Sequence, residues 1–218
     1  MKKLALSFVM IFVSLTLAKS QDYRYEVYGG LSLPHTFYPA KGDQSRETSK
    51  MILSGHLGVR TFIPISIDMK DNMFYATTGL AFSGKGYKTK NLYKYYPNVV
   101  VEGKALSIDV PARFGYKFRL NENIALRAEL GFAGSLGLFG KWKRKSGTST
   151  ESTGKYYDMD NLDPFGSQRI DFGFSGHVGA EFNRITAGVS YDYGIANLAG
   201  KPYHSSSRNL LFSIGYLF

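Results

Sequence analysis

Apolar and polar residues alternate along most of this chain, and the alternation is clearest at its end. Leu210, Phe212, Ile214, Tyr216 and Phe218 share one face of an extended segment, while Leu211, Ser213, Gly215 and Leu217 share the other. A period of two is what a β-strand with two unlike faces requires. Segment 185–195 repeats it, with Ile185, Ala187, Val189, Tyr191, Tyr193 and Ile195 against Thr186, Gly188, Ser190, Asp192 and Gly194. In 171–182, Phe172, Phe174, Val178, Ala180 and Phe182 oppose Asp171, Gly173, Ser175, His177, Gly179 and Glu181. Segments 124–138 and 106–118 obey the same rule, and 74–82, 51–63 and 23–33 add three more strands, which makes eight. Pro111 has no N–H for a ladder, so a bulge or irregular pairing is expected there.

The connections fall into two classes. Those over 34–49, 84–98, 142–166 and 197–207 are long and polar, and those over 64–72, 119–123 and 183–184 are shorter. Long and short alternate, as in an up-and-down barrel with unlike rims, and an even strand number puts both termini on the short-turn side.

Alternation alone does not say which face meets which solvent. The polar face carries Arg24, Glu26, Arg60, Asp109, Arg113, Lys117, Arg127, Glu129, Asp171, Glu181 and Asp192, five cations against six anions, with His177, Gly and Ser interleaved. A soluble exterior would be rich in Lys and poor in Gly. A narrow lumen needs small residues for space and opposed charges that neutralise one another. Eight strands leave an interior just wide enough for side chains, where a paired charge is tolerable and an isolated one is costly. The expected fold is therefore all-β: an eight-stranded antiparallel up-and-down transmembrane β-barrel with a plugged polar lumen. Its apolar stripes match the roughly 9–11 residues of a tilted spanning strand.

Composition fits this picture. Aromatics make up 15% of the 218 residues, Gly numbers 24 and Cys is absent, so disulfide scaffolds and collagens are excluded. Lys2 and Lys3 precede an apolar run to Leu17 and then Ala18, Lys19 and Ser20, which reads as a secretory signal peptide over 1–20 cleaved after Ser20, leaving the barrel domain over 21–218. That segment carries three Lys and no acid, so the formal charge of +10 falls to +7 on cleavage.

The terminal stripe ending in Phe218, with Tyr216 before it, resembles the targeting signal of bacterial outer-membrane barrels. LSIDVPARFGYKF (106–118), IDFGFSGHVGAEF (170–182), ITAGVSYDYGIANL (185–198) and SRNLLFSIGYLF (207–218) are similar to the outer-membrane β-barrel family often labelled porin or PorT-like in Bacteroidetes. The resemblance implies outer-membrane location, assembly by the barrel-assembly machinery through the C-terminal strand and, for PorT-like members, an association with protein secretion.

Candidate chemistry lies in the rims. Lys141, Trp142, Lys143, Arg144 and Lys145 fall where the fifth strand should reach the outer rim, so Trp142 would sit at the interface and the cations would meet lipopolysaccharide phosphates. Lys85, Lys88, Lys90 and Lys94 would extend this basic rim. His35 and His204 in long loops, and His56 and His177 on the lumen face, do not converge with Ser and acid in the manner of a lipid acyl hydrolase. Asp158, Asp160 and Asp163 with Asn161 depart from the EF-hand spacing. Tyr93, Tyr95, Tyr96, Tyr156 and Tyr157 would either bind an envelope protein or glycan or pack the loops together. No cofactor, metal or nucleic-acid partner is expected. The reading is a non-enzymatic structural or interaction protein of the envelope; a narrow channel, a secretion accessory and a lipid enzyme are the competing classes.

Overall fold

The computed structural model describes residues 24–37, 50–65, 72–90, 99–146, 149–157, 168–198 and 205–218. They form nine strands: β1 (Arg24–Phe37), β2 (Ser54–Pro64), β3 (Asn72–Lys90), β4 (Val99–Arg119), β5 (Ile124–Ser146), β6 (Ser149–Lys155), β7 (Ile170–Phe182), β8 (Ile185–Gly194) and β9 (Ser206–Leu217). Eight of them close a ring in which every neighbour is antiparallel, running β1-β2-β3-β4-β5-β7-β8-β9, with β9 pairing back onto β1. Closure pairs the backbone groups that an open sheet edge would leave facing lipid.

The ring is inside out relative to a soluble protein. Leu130, Phe114 and Ile214 are 75%, 72% and 69% exposed, while Glu26, Glu129, Arg60 and Arg127 on the alternate positions are buried. A contiguous apolar surface of this kind needs an apolar solvent around it.

The turns at the short end are set by local chemistry. Asn183 adopts φ 54° in the two-residue link between β7 and β8, a left-handed conformation that Asn tolerates better than most residues. The Asn121 side-chain oxygen accepts from the amides of Asn123 (2.9 Å) and Ile124 (2.8 Å), closing the turn from β4 to β5.

At the other end the strands outrun expectation. β7, β8 and β9 have 13, 10 and 12 residues, close to what a span needs, whereas β3, β4 and β5 have 19, 21 and 23. Much of what the alternation assigns to long loops at 84–98 and 142–166 is therefore strand, because the ladder between β3 and β4 continues to Lys90 opposite Val100. β6 pairs with β5 above the point where β7 leaves it, so β3, β4, β5 and β6 make a four-stranded sheet standing clear of the ring.

The bulge between β4 and β5 governs that sheet. Leu106 faces Phe139 and Ser107 faces Gly137, which leaves Leu138 as the extra residue. The outward stripe of β5 thus passes from Leu136 to Phe139, and every later residue changes face. Arg169 braces the bulge, its guanidinium donating to the carbonyl of Leu138 at 2.9 Å. At Pro111 the ladder to β3 is interrupted between Thr78↔Ala112 and Ala81↔Asp109 without a change of register. The irregular pairing lies where the missing donor requires it, and the bulge lies elsewhere.

Candidate functional site

Charge pairs recur along the lumen face of the described strands. Next to the short turns, Lys117 donates to both oxygens of Glu181 at 2.7 and 2.8 Å, and Arg24 reaches the same carboxylate at 3.5 Å from the mouth. Above them Phe62, Tyr75 and Leu217 form an apolar layer with Met73, over which the Arg127 guanidinium sits 4.9 Å from the Phe62 ring. The central group is Glu26. Its carboxylate accepts two bonds from Arg60 at 2.9 and 3.1 Å, one from Arg127 at 3.1 Å and one from the Thr186 hydroxyl at 2.7 Å. Four strands, β1, β2, β5 and β8, meet at that one side chain.

Glu129 takes a bond from the Tyr75 hydroxyl at 3.0 Å and lies 3.5 Å from Arg113. Arg113 donates to Ser175 at 2.8 Å, and the Ser175 hydroxyl in turn donates to Asp192 at 2.5 Å. His177 shares a 2.8 Å bond with Ser190. Towards the far end Asp109 is held by Ser107 at 3.0 Å, Ser135 at 2.5 Å and Lys85 at 3.3 Å, and Asp171 accepts from Ser207. His56 is buried and tilted against the Tyr28 ring, 5.9 Å between centroids. Glycine supplies the space: a Cβ on Gly115 would stand 2.6 Å from the Tyr75 ring, and one on Gly215 would stand 2.5 Å from the Glu26 carboxylate.

Lys85 corrects the rim assignment. It faces inward on β3, because the strand continues past Phe82 without changing parity, and it joins Asp109 in place of solvent. With it, among the described residues, the lumen cations Arg24, Arg60, Lys85, Arg113, Lys117 and Arg127 equal the anions Glu26, Asp109, Glu129, Asp171, Glu181 and Asp192, six against six. Neutrality is what a narrow low-dielectric cavity demands.

Trp142 is the second correction. Had β5 kept its parity, Trp142 and Arg144 would continue the lipid-facing stripe of Leu136; the bulge turns them inward. Trp142 packs instead with Tyr87, Val99, Val101 and Tyr156, with Ala105 and Tyr157 alongside, as a separate apolar core in the standing sheet. Tyr156 and Tyr157 meet edge to face at 4.9 Å, and Tyr157 lies beneath the Arg169 guanidinium at 5.6 Å. These aromatics lie over the long end of the lumen, where burial pushes the Tyr157 hydroxyl up to about 12.

The same parity change turns Lys141, Lys143 and Lys145 outward. Register then brings in residues that alternation did not single out. Lys104 on β4, Lys141 on β5 and Lys155 on β6 are direct partners across three adjacent strands. Lys88, Glu102 and Lys143 form the row beyond it, and Glu102 contacts Lys104 at 3.0 Å.

Residues 17–200 match the outer membrane protein beta-barrel domain family. The chain belongs to that family. It is thus an integral β-barrel of the outer membrane, and its short turns are periplasmic and its long end extracellular by the rule of such barrels. No curated protein matches it. Among solved structures, Ail of Yersinia pestis is similar at 15% identity over 91% of this chain and 100% of that one, with a TM-score of 0.40. OprG of Pseudomonas aeruginosa is similar at 11% identity over 89% and 95%, with a TM-score of 0.43. The Neisserial surface protein NspA is similar at 11% identity over 89% and 97%, with a TM-score of 0.37.

Several candidates of this outer-membrane barrel fall outside the described residues: the signal segment 1–20, Tyr93, Tyr95 and Tyr96, Lys94, His204, and Asp158, Asp160, Asp163 and Asn161. Tyr216 and Phe218 stand on the lipid face at the periplasmic end, their rings edge to face at 5.0 Å. Arg169, Lys104 and Lys155 are the residues that sequence reasoning missed. Strand parity would have marked Lys104; the other two need the bulge and the β5–β6 register.

Proposed function

We propose that this protein is a closed, non-conducting barrel, without catalytic activity, that presents an extracellular sheet and long loops to partners at the cell surface. The observation that carries this reading is the Glu26 cluster, where four hydrogen bonds from three strands converge on one buried carboxylate inside the lumen. A water-filled passage would separate such groups, and here they touch. The apolar layer of Phe62, Tyr75 and Leu217 below, and Tyr157 with Arg169 above, support the same conclusion. On this reading His56 and His177 pack the lumen, out of reach of an acyl chain. Export by cleavage after Ser20 and delivery to the barrel-assembly machinery through the strand ending in Phe218 belong to the same proposal. Its partners are an envelope protein or glycan, the secretion machinery included, met through the long loops.

Single-channel recording across planar bilayers tests it. The purified barrel is expected to insert and pass no steady current; a stable conductance with unitary steps would overturn the closed lumen in favour of a narrow channel.

A further inference from the structure

We propose that the outward face of the standing sheet is a phosphate-binding ledge, with Lys104, Lys141 and Lys155 as its first row and Lys143 and Lys88 as its second, and that its ligand is the phosphorylated headgroup of outer-leaflet glycolipid touching the barrel wall. The inference rests on outer-membrane placement and is independent of whether the lumen conducts.

The argument begins with an unfavourable arrangement. Neighbouring strands lie about 4.8 Å apart, and like charges placed directly opposite destabilise a sheet. Three lysines in one register row across β4, β5 and β6 repel one another. Glu102 is the one carboxylate among the side chains described on this face, and it is engaged with Lys104. A structure that needed only a solvated face would stagger these charges. Three ammonium groups in a line instead suit a ligand carrying more than one phosphate, which supplies the missing negative charge through charge-assisted hydrogen bonds.

Height selects the ligand. Immediately below the first row the outward positions are Leu106 on β4 and Phe139 on β5, the latter 67% exposed. Two residues of strand, about 7 Å before tilt, separate the last lipid-facing ring from the lysines. Their stems can lie along the apolar belt while the ammonium groups reach the headgroup layer. A soluble polyanion would need a ledge facing open water, whereas this one is level with the membrane surface on the side of the wall that lipid touches. The Trp142 core behind the sheet, with the Arg169 bond to the bulge, fixes the ledge against movement.

The experiment is native mass spectrometry of the full-length barrel released from mixed micelles holding equal amounts of bisphosphorylated lipid A and its dephosphorylated form. The wild-type chain is expected to retain the phosphorylated form preferentially, by about 100-fold for three lysines at the membrane surface. The triple variant Lys104→Gln, Lys141→Gln and Lys155→Gln is expected to lose that preference, while the periplasmic pair Arg119→Gln and Arg184→Gln keeps it. A stability measurement keeps the test valid for folding: the triple variant should unfold later than wild type in zwitterionic detergent, where the row only repels, and earlier once bisphosphorylated lipid A is added. Equal retention of the two lipid forms by wild type, or an unchanged triple variant, would overturn the proposal. Dextran sulfate bound through the same three lysines without any lipid preference would also overturn it, by moving the ligand from the leaflet to the medium.

Discussion

Inside the barrel each described carboxylate meets a cation or a hydroxyl, and the described cations and anions are equal in number; on the outward face of β3–β6 the lysines at 88, 104, 141, 143, 145 and 155 surround Glu102, the one carboxylate among the side chains described there. The same strands build both regions. β4 carries Asp109, Arg113 and Lys117 on its lumen face and Glu102 and Lys104 on its outward extension, and β5 carries Arg127 and Glu129 below its lysines. What differs is the medium. A charge taken out of water must be matched in place, because its desolvation is repaid only by close and complete pairing. A charge left at the wet boundary loses little by standing unmatched, and for that reason it stays available to an anion that is not part of the chain. Balance therefore marks structure in this molecule, and imbalance marks a surface made to meet something else.

The sharpest way to break that contrast is to unbalance the lumen. Glu26→Gln leaves Arg60 and Arg127 facing each other without their shared carboxylate, and urea unfolding in detergent micelles should show a loss of about 3–5 kcal/mol. A loss below about 1 kcal/mol would mean that water already enters the lumen, since only hydration makes an unpaired buried charge so cheap.

Inserting one alanine after Gly140 comes next. The added residue reverses the parity of β5 beyond the bulge, so Trp142 would turn outward and the lysines would turn in against Tyr87, Val99 and Val101. The standing sheet should then come apart while the ring below survives, at a cost of about 3 kcal/mol for the lost aromatic burial. Trp142 is the only tryptophan, so its emission should move to the red and become quenchable by acrylamide. An unmoved spectrum would show that the residue count along β5 is not what sets the two faces.

The smallest effect should come from Lys104→Gln. The hydrogen bond and charge of Lys104 hold the Glu102 carboxyl below its ordinary value. A lowered folded value contributes stability above the unfolded value of 4.5 and loses it as pH falls through the folded one. Removing Lys104 should let Glu102 titrate nearer 4.5 by carboxyl NMR, with a stability change within about 0.5 kcal/mol. A penalty as large as that of Glu26→Gln would erase the distinction between the two regions.

The lumen residues were legible in advance for a simple reason: alternation with a period of two assigns every side chain of a strand to a face, and Arg60, Asp109, Arg113 and Glu129 lie on uninterrupted runs. Trp142 and Arg144, read as interface and lipid-phosphate contacts at the rim, turn inward because one inserted residue, Leu138, leaves no mark in composition or hydropathy yet reverses every position after it. Lys85 was misread for a related reason. Its strand continues beyond the apolar stripe, and polarity alone made that continuation look like loop.

By itself the sequence determined the eight strands of the ring, the unlike faces, the membrane-facing belt and the charged lumen, because each of these follows from local periodicity and from the cost of charge in an apolar medium; the ninth strand, β6, it read as loop. Only the tertiary structure decided that Lys85 completes the lumen balance, that Arg169 holds the bulge, and that Lys104, Lys141 and Lys155 fall into one row. Those facts depend on register between strands distant in the chain, and register is set by the closed hydrogen-bonded ladder as a whole.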